Sequence, residues 1–325
     1  DKTVDLGTQR TTELRKTQAV STIYSDELDK NATTSPYNAI YGLLPGLTVM
    51  QNTSWGTDKS RLNVRGRGSL NGDTPLFVVD GFARPIEYIN LSEIESISVL
   101  KDGAATALWG GRGANGVVLI TTKRGMYSKK EIKVDYKFGL GLPVNQPEFA
   151  DAYTYAKARN EALRYDGLQP DMDEASFLAG GNSDLYPNVD WQKEALRNHT
   201  TSHQLDITFR GGGKRLRYFS VLNYKNDMGL LNSKYTDYTD RYNSQMKKYF
   251  LNLRMNLDVD ITDATKLKLN MLGMLRETKR PTTSEATLFE QIFNTPSAAF
   301  PVQTQNGLWG STVSYTHLTL PTSDL

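Results

Sequence analysis

Gly111, Gly113 and Gly116 have the G-x-G-x-x-G spacing of a dinucleotide-binding loop, which would indicate a nucleotide enzyme. In such enzymes a strand precedes the glycines and a helix follows them, because the helix N-terminus holds the pyrophosphate. Here the order is reversed: Asp102 is placed to cap a short helix before the glycines, and an apolar strand, Val117–Thr122, follows them. The pattern favours a turn between a helix and a strand, and a dinucleotide enzyme is the weaker alternative.

His199 and His203 have the i, i+4 spacing with which two imidazoles bind one metal ion from a helix. They stand where a strand is predicted to begin, and on a strand that spacing does not bring the two rings together. The 325 residues include no Cys, which excludes thiolate zinc sites, disulfides and a cysteine nucleophile. We therefore predict no metal site.

The stretch Arg65-Gly66-Arg67-Gly68 is similar to RNA-binding arginine–glycine segments, but those segments occur as repeats in low-complexity tracts. This one occurs once, between two predicted strands. The formal net charge of +2 is too small to indicate nucleic acid or an anionic membrane surface. We predict no nucleic-acid partner.

The predicted helices and strands divide the chain into two parts with different sequence patterns. Residues 17–126 alternate short apolar strands with short helices, which predicts a small α+β domain. Strands are expected at 17–23, 47–51, 61–65, 76–79, 96–100 and 117–122, and helices at 37–44 and after Asp102. Asp80-Gly81 is typical of a hairpin turn, and Ser92 and Glu95 have the spacing of a capping box.

From residue 131 onward, apolar and polar residues alternate along extended stretches. In the first stretch the apolar residues share one face, and Glu131, Lys133, Asp135 and Lys137 share the other. Strands are predicted near 131–140, 203–210, 215–225, 248–260 and 265–275. Each is close to the ~9–11 residues that cross a bilayer as a tilted strand.

The connections between these strands alternate in length. Segments of about 141–202 and 226–247 are long, whereas Gly211-Gly212-Gly213 and Thr262-Asp263-Ala264 are short. Long external loops and short periplasmic turns are typical of an outer-membrane β-barrel. A soluble antiparallel sheet with one wet face is the alternative, but it has no reason to alternate its connection lengths.

A family resemblance is carried by a series of motifs in a fixed order. They are Leu44-Pro45-Gly46-Leu47, Val64-Arg65-Gly66, Val78-Val79-Asp80-Gly81, the stretch IESISVLKD at 94–102, WGGRGANGV at 109–117, and YPNVDW at 186–191. Over about residues 17–310 the chain resembles the SusC/RagA-type TonB-dependent transporters of the Bacteroidetes outer membrane, and the motifs up to residue 125 resemble their plug domain.

The resemblance implies a fold. We expect a periplasmic linker at 1–16, an α+β plug domain at 17–126, and at 127–312 the first five or so antiparallel strands of a transmembrane β-barrel. The complete family barrel has about 22 strands, so the chain is expected to be an N-terminal fragment. Residues 313–325 read as one frame of a sequencing adaptor, and we expect them to be an artefact.

The resemblance also implies a function that is not that of an enzyme and that needs no catalytic residue and no cofactor. It implies active import of oligosaccharides or peptides across the outer membrane, gated by rearrangement of the plug when ligand binds. The implied partners are TonB with its ExbB/ExbD energy supply, a SusD-like surface lipoprotein and outer-membrane lipid. A siderophore- or cobalamin-type receptor and a soluble exported β-rich binding protein are the alternatives.

Three sets of residues follow from this interpretation. Turn-forming residues of the plug are predicted to be Asp80, Gly81, Gly110, Gly111, Gly113, Asn115 and Gly116. Charged residues predicted to contact the barrel are Arg65, Arg112, Glu95, Lys101 and Asp102. An extended apolar peptide could add a strand to TonB, and the candidates for that segment are Val4, Asp5 and Leu6.

Overall fold

The computed structural model describes residues 3–7, 10–12, 17–30, 33, 35–50, 60–68, 72–144, 146–232 and 246–310. The predicted adaptor tail, 313–325, lies outside the described residues. The chain forms two compact units. The first comprises Asp1–Leu140, Thr201–Gly229 and Lys247–Lys279, and the second comprises Gly141–Thr200, Leu230–Met246 and Arg280–Leu325. The predicted plug and the paired strands thus share one unit, and the long connections form the other.

The plug region of the first unit is built on a five-stranded sheet with the order β3-β8-β9-β6-β7. Its strands are β3 (Val20–Tyr24), β6 (Leu76–Val79), β7 (Phe82–Ala83), β8 (Ile94–Leu100) and β9 (Val117–Thr122). The strands β6 and β9 are parallel, and the other neighbours are antiparallel. Two antiparallel pairs accompany the sheet: β1 (Thr3–Asp5) with β2 (Arg10–Thr12), and β4 (Leu47–Met50) with β5 (Arg61–Val64).

Short helices connect these strands: α1 (Ser25–Leu28), α2 (Pro36–Ala39), α3 (Gly103–Thr106), and 3₁₀ helices at Ile86–Tyr88, Leu91–Glu93 and Ala107–Gly113. The helix predicted at 37–44 is only α2, because the chain turns at Gly42, whose φ is +72°. The predicted capping box at Ser92 and Glu95 is wrong. The capping box joins Asn90 to Glu93, because the chain has already entered β8 at Ile94.

The central strands of the plug sheet are buried on both faces. One apolar cluster includes Ile97 and Val118, and a second includes Leu100 and Val117. Strands covered on both sides are expected to be continuous apolar runs rather than alternating ones. The runs at 76–79 and 117–120 have this composition.

The second sheet of the first unit has five long strands in sequential order. They are β10 (Ser128–Gly141), β11 (Thr200–Gly212), β12 (Leu216–Met228), β13 (Lys247–Asp260) and β14 (Lys266–Lys279). The pairs from β11 to β14 are antiparallel. Each strand overlaps its predicted range and reaches 13 or 14 residues.

This long-stranded sheet is inverted relative to the sheets of most soluble proteins. The apolar side chains of β10, from Ile132 to Leu140, are 57–67% exposed. On β13 the polar residues Asn252, Arg254 and Asn256 are at most 2% exposed, whereas Leu251 and Leu253 are 41% and 47% exposed. A contiguous exposed apolar face of this kind marks a surface that another apolar phase or partner covers.

The second unit contains four helices within its described residues: α4 (Ala152–Tyr165), α5 (Glu174–Ala179), α6 (Trp191–Ala195) and α7 (Glu285–Asn294). The helix α4 begins at Ala152, because the Asp151 side chain caps it by accepting a hydrogen bond from Thr154 N at 2.8 Å. Across the described ranges, no helix combines the length and apolar character that crossing a membrane requires.

Candidate functional site

A polar interface joins the plug to the long-stranded sheet within the first unit. The sheet contributes buried polar residues from three strands: Gln204, Asp206, Asn223, Lys225, Lys248, Asn252, Arg254, Asn256 and Asp258. Buried polar groups are costly unless they are hydrogen-bonded. Most of these side chains find their partners on the plug, so the interface is held by hydrogen bonds and charge.

Glu93 is the centre of this interface and is completely buried. Its carboxylate accepts a hydrogen bond from Arg254 Nε at 2.5 Å, a second from Asn252 Nδ2, and a third from the backbone N–H of Asn90 at 3.4 Å. Burial raises the pKa of Glu93 above its usual range, and the Arg254 guanidinium opposes this shift. Glu93 and Arg254 therefore form a buried ion pair between plug and sheet.

Asp80 belongs to the same charge cluster. It forms with Gly81 the two-residue turn between β6 and β7, and both residues have positive φ, +49° and +91°, as a type I′ turn requires. The Asp80 carboxylate accepts hydrogen bonds from Thr122 N at 3.0 Å and Thr122 Oγ1 at 2.6 Å. It also lies 3.8 Å from Arg254 Nη1. The predicted turn residue is thus also a contact to the sheet.

A second polar group surrounds the buried carboxylate of Asp206 on β11. This carboxylate accepts hydrogen bonds from Gln204 at 2.7 Å, from Asn223 at 2.8 Å and, across the interface, from Asn90 Nδ2 at 3.3 Å. Asn223 Nδ2 also lies 2.8 Å from Ser92 Oγ of the plug. The 3₁₀ helix before β8 is thereby fixed to β11 and β12.

The segment that leaves the plug is also bound to the long-stranded sheet. Arg124 forms an ion pair with Asp258 at 2.9 Å, and its carbonyl accepts a hydrogen bond from Arg210 Nε at 2.8 Å. Asn256 Nδ2 donates to the carbonyl of Lys123 at 2.8 Å. The segment that connects plug to sheet is therefore tied to β11 and β13.

The five charged residues predicted to contact the barrel occupy different places. Glu95 lies 3.8 Å from Arg210 of the sheet. Asp102 accepts a hydrogen bond from Ala19 N at 2.8 Å and caps α3 by accepting another from Ala105 N at 2.7 Å, and these bonds lower its pKa. Its described hydrogen bonds lie within the plug.

Lys101 Nζ donates to Ser21 Oγ at 2.6 Å and to the Pro45 carbonyl at 2.9 Å, both in the plug. Arg65 has a φ of +60°, in the left-handed region. Arg112 is exposed and lines a cavity of the plug. A barrel-contacting role for Arg65, Arg112, Lys101 and Asp102 stays a prediction.

Sequence reasoning did not single out Glu93, Arg254 or Asp206 as site residues. One signal was available for Glu93: it closes an Asn-x-x-Glu capping box directly before an apolar strand. A signal for the sheet residues was the polar side of the alternation in β13. Neither signal identifies the partner, since Glu93 and Arg254 are separated by 161 positions.

The glycine segment closes a helix and precedes β9, as its order in the sequence predicted. Gly116 has a φ of +89°, and a Cβ added there would lie 2.8 Å from the Val64 side chain. Gly110 also has a positive φ, +54°, and Asn115 Nδ2 donates to the Gly72 carbonyl at 3.0 Å. Gly111 and Gly113 lie within the 3₁₀ helix that precedes this turn.

The candidate TonB-binding residues lie in and beside β1. Val4 is fully buried and Leu6 is 7% exposed, and both join the apolar cluster that includes Leu100 and Val117. The next residue, Gly7, packs so closely on Trp109 that an added Cβ would lie 2.5 Å from the ring. The predicted linker thus contains a strand pair whose apolar residues pack on the plug.

The two histidines do not come together around a metal site. His203 Nδ1 lies 2.7 Å from the Tyr136 hydroxyl, and its ring packs 5.2 Å from the ring centre of Phe138. Within the part of the chain that the structure describes, no cluster of three His, Asp or Glu side chains could hold a metal ion.

Comparisons with known proteins agree with this architecture. Residues 12–117 match the family model "TonB-dependent Receptor Plug Domain". The TonB-dependent receptor P26 of Formosa agariphila is 29% identical over 81% of this chain and 25% of its own length. The TonB-dependent receptor SusC of Bacteroides thetaiotaomicron is 30% identical over 71% of this chain and 23% of its own length. The chain thus spans about a quarter of the length of these relatives.

A solved structure supports the fold. The RagAB peptide importer in its "open-open" state aligns with a TM-score of 0.73 and 22% identity, covering 97% of this chain and 37% of the other. The plug sheet packed on long, inverted strands defines the class of TonB-dependent receptors. Within that class, the chain belongs to the SusC/RagA-type transporters.

Proposed function

We propose that the whole protein imports a nutrient across the outer membrane, and that the plug–sheet interface is its gate. The observation that carries the proposal is the buried network around Glu93 and Arg254, which fixes the plug to the inner face of the sheet. We assign 17–126 to the plug and 127–312 to the barrel wall with its long connections. Import of this kind needs a movement of the plug and no catalytic residue.

The inverted sheet supports a position in the membrane. Receptors of the SusC/RagA type are outer-membrane proteins. A strand of 14 residues is about 46 Å long at ~3.3 Å per residue, so at a tilt of about 45° it spans the ~25 Å apolar band of a bacterial outer membrane. The exposed apolar side chains of β10 would then face lipid, and Glu131, Lys133, Asp135 and Lys137 would face the lumen.

The chemistry of the interface suits a gate that opens repeatedly. Each hydrogen bond across it can be exchanged for one to water when the plug moves, so the net cost per bond is about 0.5–1.5 kcal/mol. The Glu93–Arg254 pair is different, because both charges are buried. When the plug moves, both charges become hydrated, and this hydration offsets much of the lost attraction, so the pair fixes the closed position of the plug without preventing its release.

The energy for opening would come from TonB with ExbB/ExbD, pulling on the segment Val4–Leu6. That segment is packed into the plug in this structure, so the buried side chains of Val4 and Leu6 would leave their apolar cluster when TonB pulls on it. A SusD-like surface lipoprotein is the expected partner on the outside. The cargo is proposed to be an oligosaccharide or a peptide.

The proposal is tested by cross-linking the plug to β13. Thr122→Cys and Asn256→Cys replace two short side chains whose polar atoms lie 3.0 Å apart across the interface, and the chain has no other Cys. The variant is made in the full-length transporter in its host, and a short thiol cross-linker joins the two positions. Growth on a panel of oligosaccharides and peptides then reports transport.

We expect growth on one class of cargo to be lost in the cross-linked double variant and retained in each single variant treated in the same way. Unchanged growth with a complete cross-link would mean that the plug does not need to separate from β13 there. Growth on every panel member after deletion of the whole gene would refute import of these nutrients.

A further inference from the structure

A cavity of about 540 Å³ is lined entirely by plug residues, and none of its lining residues belongs to the long-stranded sheet. Its floor is apolar and includes Leu76, Phe77 and Pro85. Tyr37 lines the same side and packs edge-on against Phe77, with ring centres 6.0 Å apart. A floor of this composition fits an aliphatic or aromatic group of a small ligand.

Three arginines and one glutamate provide the charges around this floor: Arg61, Arg84, Arg112 and Glu87. Arg61 is paired with the buried carboxylate of Asp73 at 3.2 Å. Arg112 is exposed, and no carboxylate among the described residues lies within ion-pair distance of it. Among the residues that the structure describes, the cavity thus carries an excess of positive charge.

Arg84 is the second arginine at the cavity without an ion pair among the described residues. It is half-buried, and its Nε atom is shielded from solvent with no hydrogen-bond partner in the described part of the chain. Burial lowers the pKa of Arg84, as does repulsion from Arg254, and attraction to Asp80 and Glu93 opposes the shift. A buried donor without an acceptor is unfavourable, and within the described residues the guanidinium of Arg84 has no hydrogen-bonded counter-ion.

We propose that this cavity binds a ligand that carries a carboxylate on an apolar group. The carboxylate would lie between Arg84 and Arg112, and the apolar group would lie on Leu76 and Phe77. Guanidinium groups match carboxylates with two parallel hydrogen bonds. A neutral oligosaccharide would leave both charges unpaired and would gain little from the apolar floor.

The site is connected by charge to the gate. Arg84 interacts electrostatically with Arg254, Asp80 and Glu93, which are the charged groups of the plug–sheet interface. A carboxylate bound at Arg84 would therefore change the field acting on the buried ion pair. The proposal that the cavity binds a carboxylate depends only on the cavity itself. The idea that bound cargo acts on the gate through this site rests on the proposed import function.

The test measures binding by calorimetry to the purified full-length transporter in detergent, without TonB and at low salt. The probes are N-acetyl-leucine, its uncharged amide, and hexanoate. We expect the acid to bind about tenfold or more tightly than the amide, since a hydrogen bond to a charged group contributes about that factor. N-acetyl-leucine represents a peptide C-terminus, and hexanoate represents a free fatty acid. The acid that binds more tightly identifies which of these ligands supplies the carboxylate.

Arg84→Gln and Arg112→Gln should each weaken binding of N-acetyl-leucine about tenfold or more and leave binding of the amide unchanged. The matched control is Arg67→Gln, which removes the same charge from an arginine that pairs with Asp73 and does not line the cavity. Thermal unfolding establishes that each variant is folded; Arg112 is exposed, so its replacement leaves the fold intact.

The proposal is overturned if acid and amide bind equally, if neither acid binds, or if Arg67→Gln has the same effect as Arg84→Gln. Because TonB takes no part in this assay, any of these results leaves the import proposal standing. Conversely, failure of the cross-linking test on transport would leave a measured carboxylate site in place.

Discussion

The buried pair Glu93–Arg254 gives the sharpest prediction about the gate. Replacing Glu93 by Gln keeps the shape of the side chain and removes its charge, which leaves the guanidinium of Arg254 buried without its partner at 2.5 Å. Removal of one member of a buried ion pair costs about 3–5 kcal/mol. Asp80, 3.8 Å from Arg254 Nη1, still compensates part of the charge, so we expect the lower end, about 3 kcal/mol.

Native-state hydrogen exchange of the full-length transporter in detergent measures this cost. A loss of about 3 kcal/mol raises the open population about 100-fold, since ~1.4 kcal/mol corresponds to a factor of ten. The backbone amides of β8 that exchange through separation of the plug should speed up by that factor. The control is Arg159→Gln in the second unit, which breaks an exposed ion pair with Asp171 and should leave β8 unaffected.

A double variant separates charge from packing. Glu93→Gln combined with Arg254→Gln removes both buried charges, so it should recover a large part of the protection lost in the single variant. Unchanged exchange in Glu93→Gln, or a double variant no better than the single one, would refute the assignment of this pair as the main charge contact between plug and sheet.

Three further predictions concern the plug, the glycine turn and the wall. Asp102→Ala removes the cap of α3 and should lower the free energy of unfolding by about 1 kcal/mol. Because the pKa of Asp102 is lowered in the folded state, this contribution is present above the ordinary aspartate pKa and is lost as the pH falls through the lowered value. Acid unfolding of the wild type and the variant should show this loss. Gly116→Ala places a methyl group against Val64 at a φ of +89° and should destabilise the plug by about 1–3 kcal/mol, measured by thermal unfolding. Gly111→Ala is the control and should be tolerated, because its methyl group meets no atom within 4 Å. Val134→Arg puts a charge on the exposed apolar face and should destabilise the protein by about 2–4 kcal/mol if that face meets lipid. The measurement is the yield of protein folded into lipid vesicles, which should fall. A yield equal to that of the wild type would argue against a lipid-facing β10.

Much of the fold could be predicted from the sequence because it depends on local periodicity. Alternation at 131–140 and its four counterparts predicted the long strands, and the order of helix, glycines and strand favoured a turn over a dinucleotide loop. Local signals were less exact at the ends of elements. The capping box lies two residues earlier than predicted, since Asn90 and Ser92 are both good capping residues and only the start of β8 decides between them.

The candidate site was less predictable, because its contacts join positions far apart in the chain. Nothing in the sequence around Glu93 indicates that its partner is Arg254. Charged residues beside recognisable motifs were expected to contact the barrel, yet the described hydrogen bonds of Asp102 are to nearby plug backbone. A charged side chain next to a turn finds backbone partners first, and a sequence pattern cannot distinguish that outcome from a contact across an interface.

The inverted sheet has a thermodynamic consequence for the gate. Unfolding of a soluble core exposes apolar surface and gives a large positive heat-capacity change, so its free energy is strongly curved with temperature. Separation of the plug from β11–β13 would instead hydrate amide, carboxylate and guanidinium groups such as Asn252, Asp206 and Arg254. Hydration of polar surface contributes to the heat capacity with the opposite sign. The work needed to open the gate should therefore show little of the curvature with temperature that the stability of the plug itself shows.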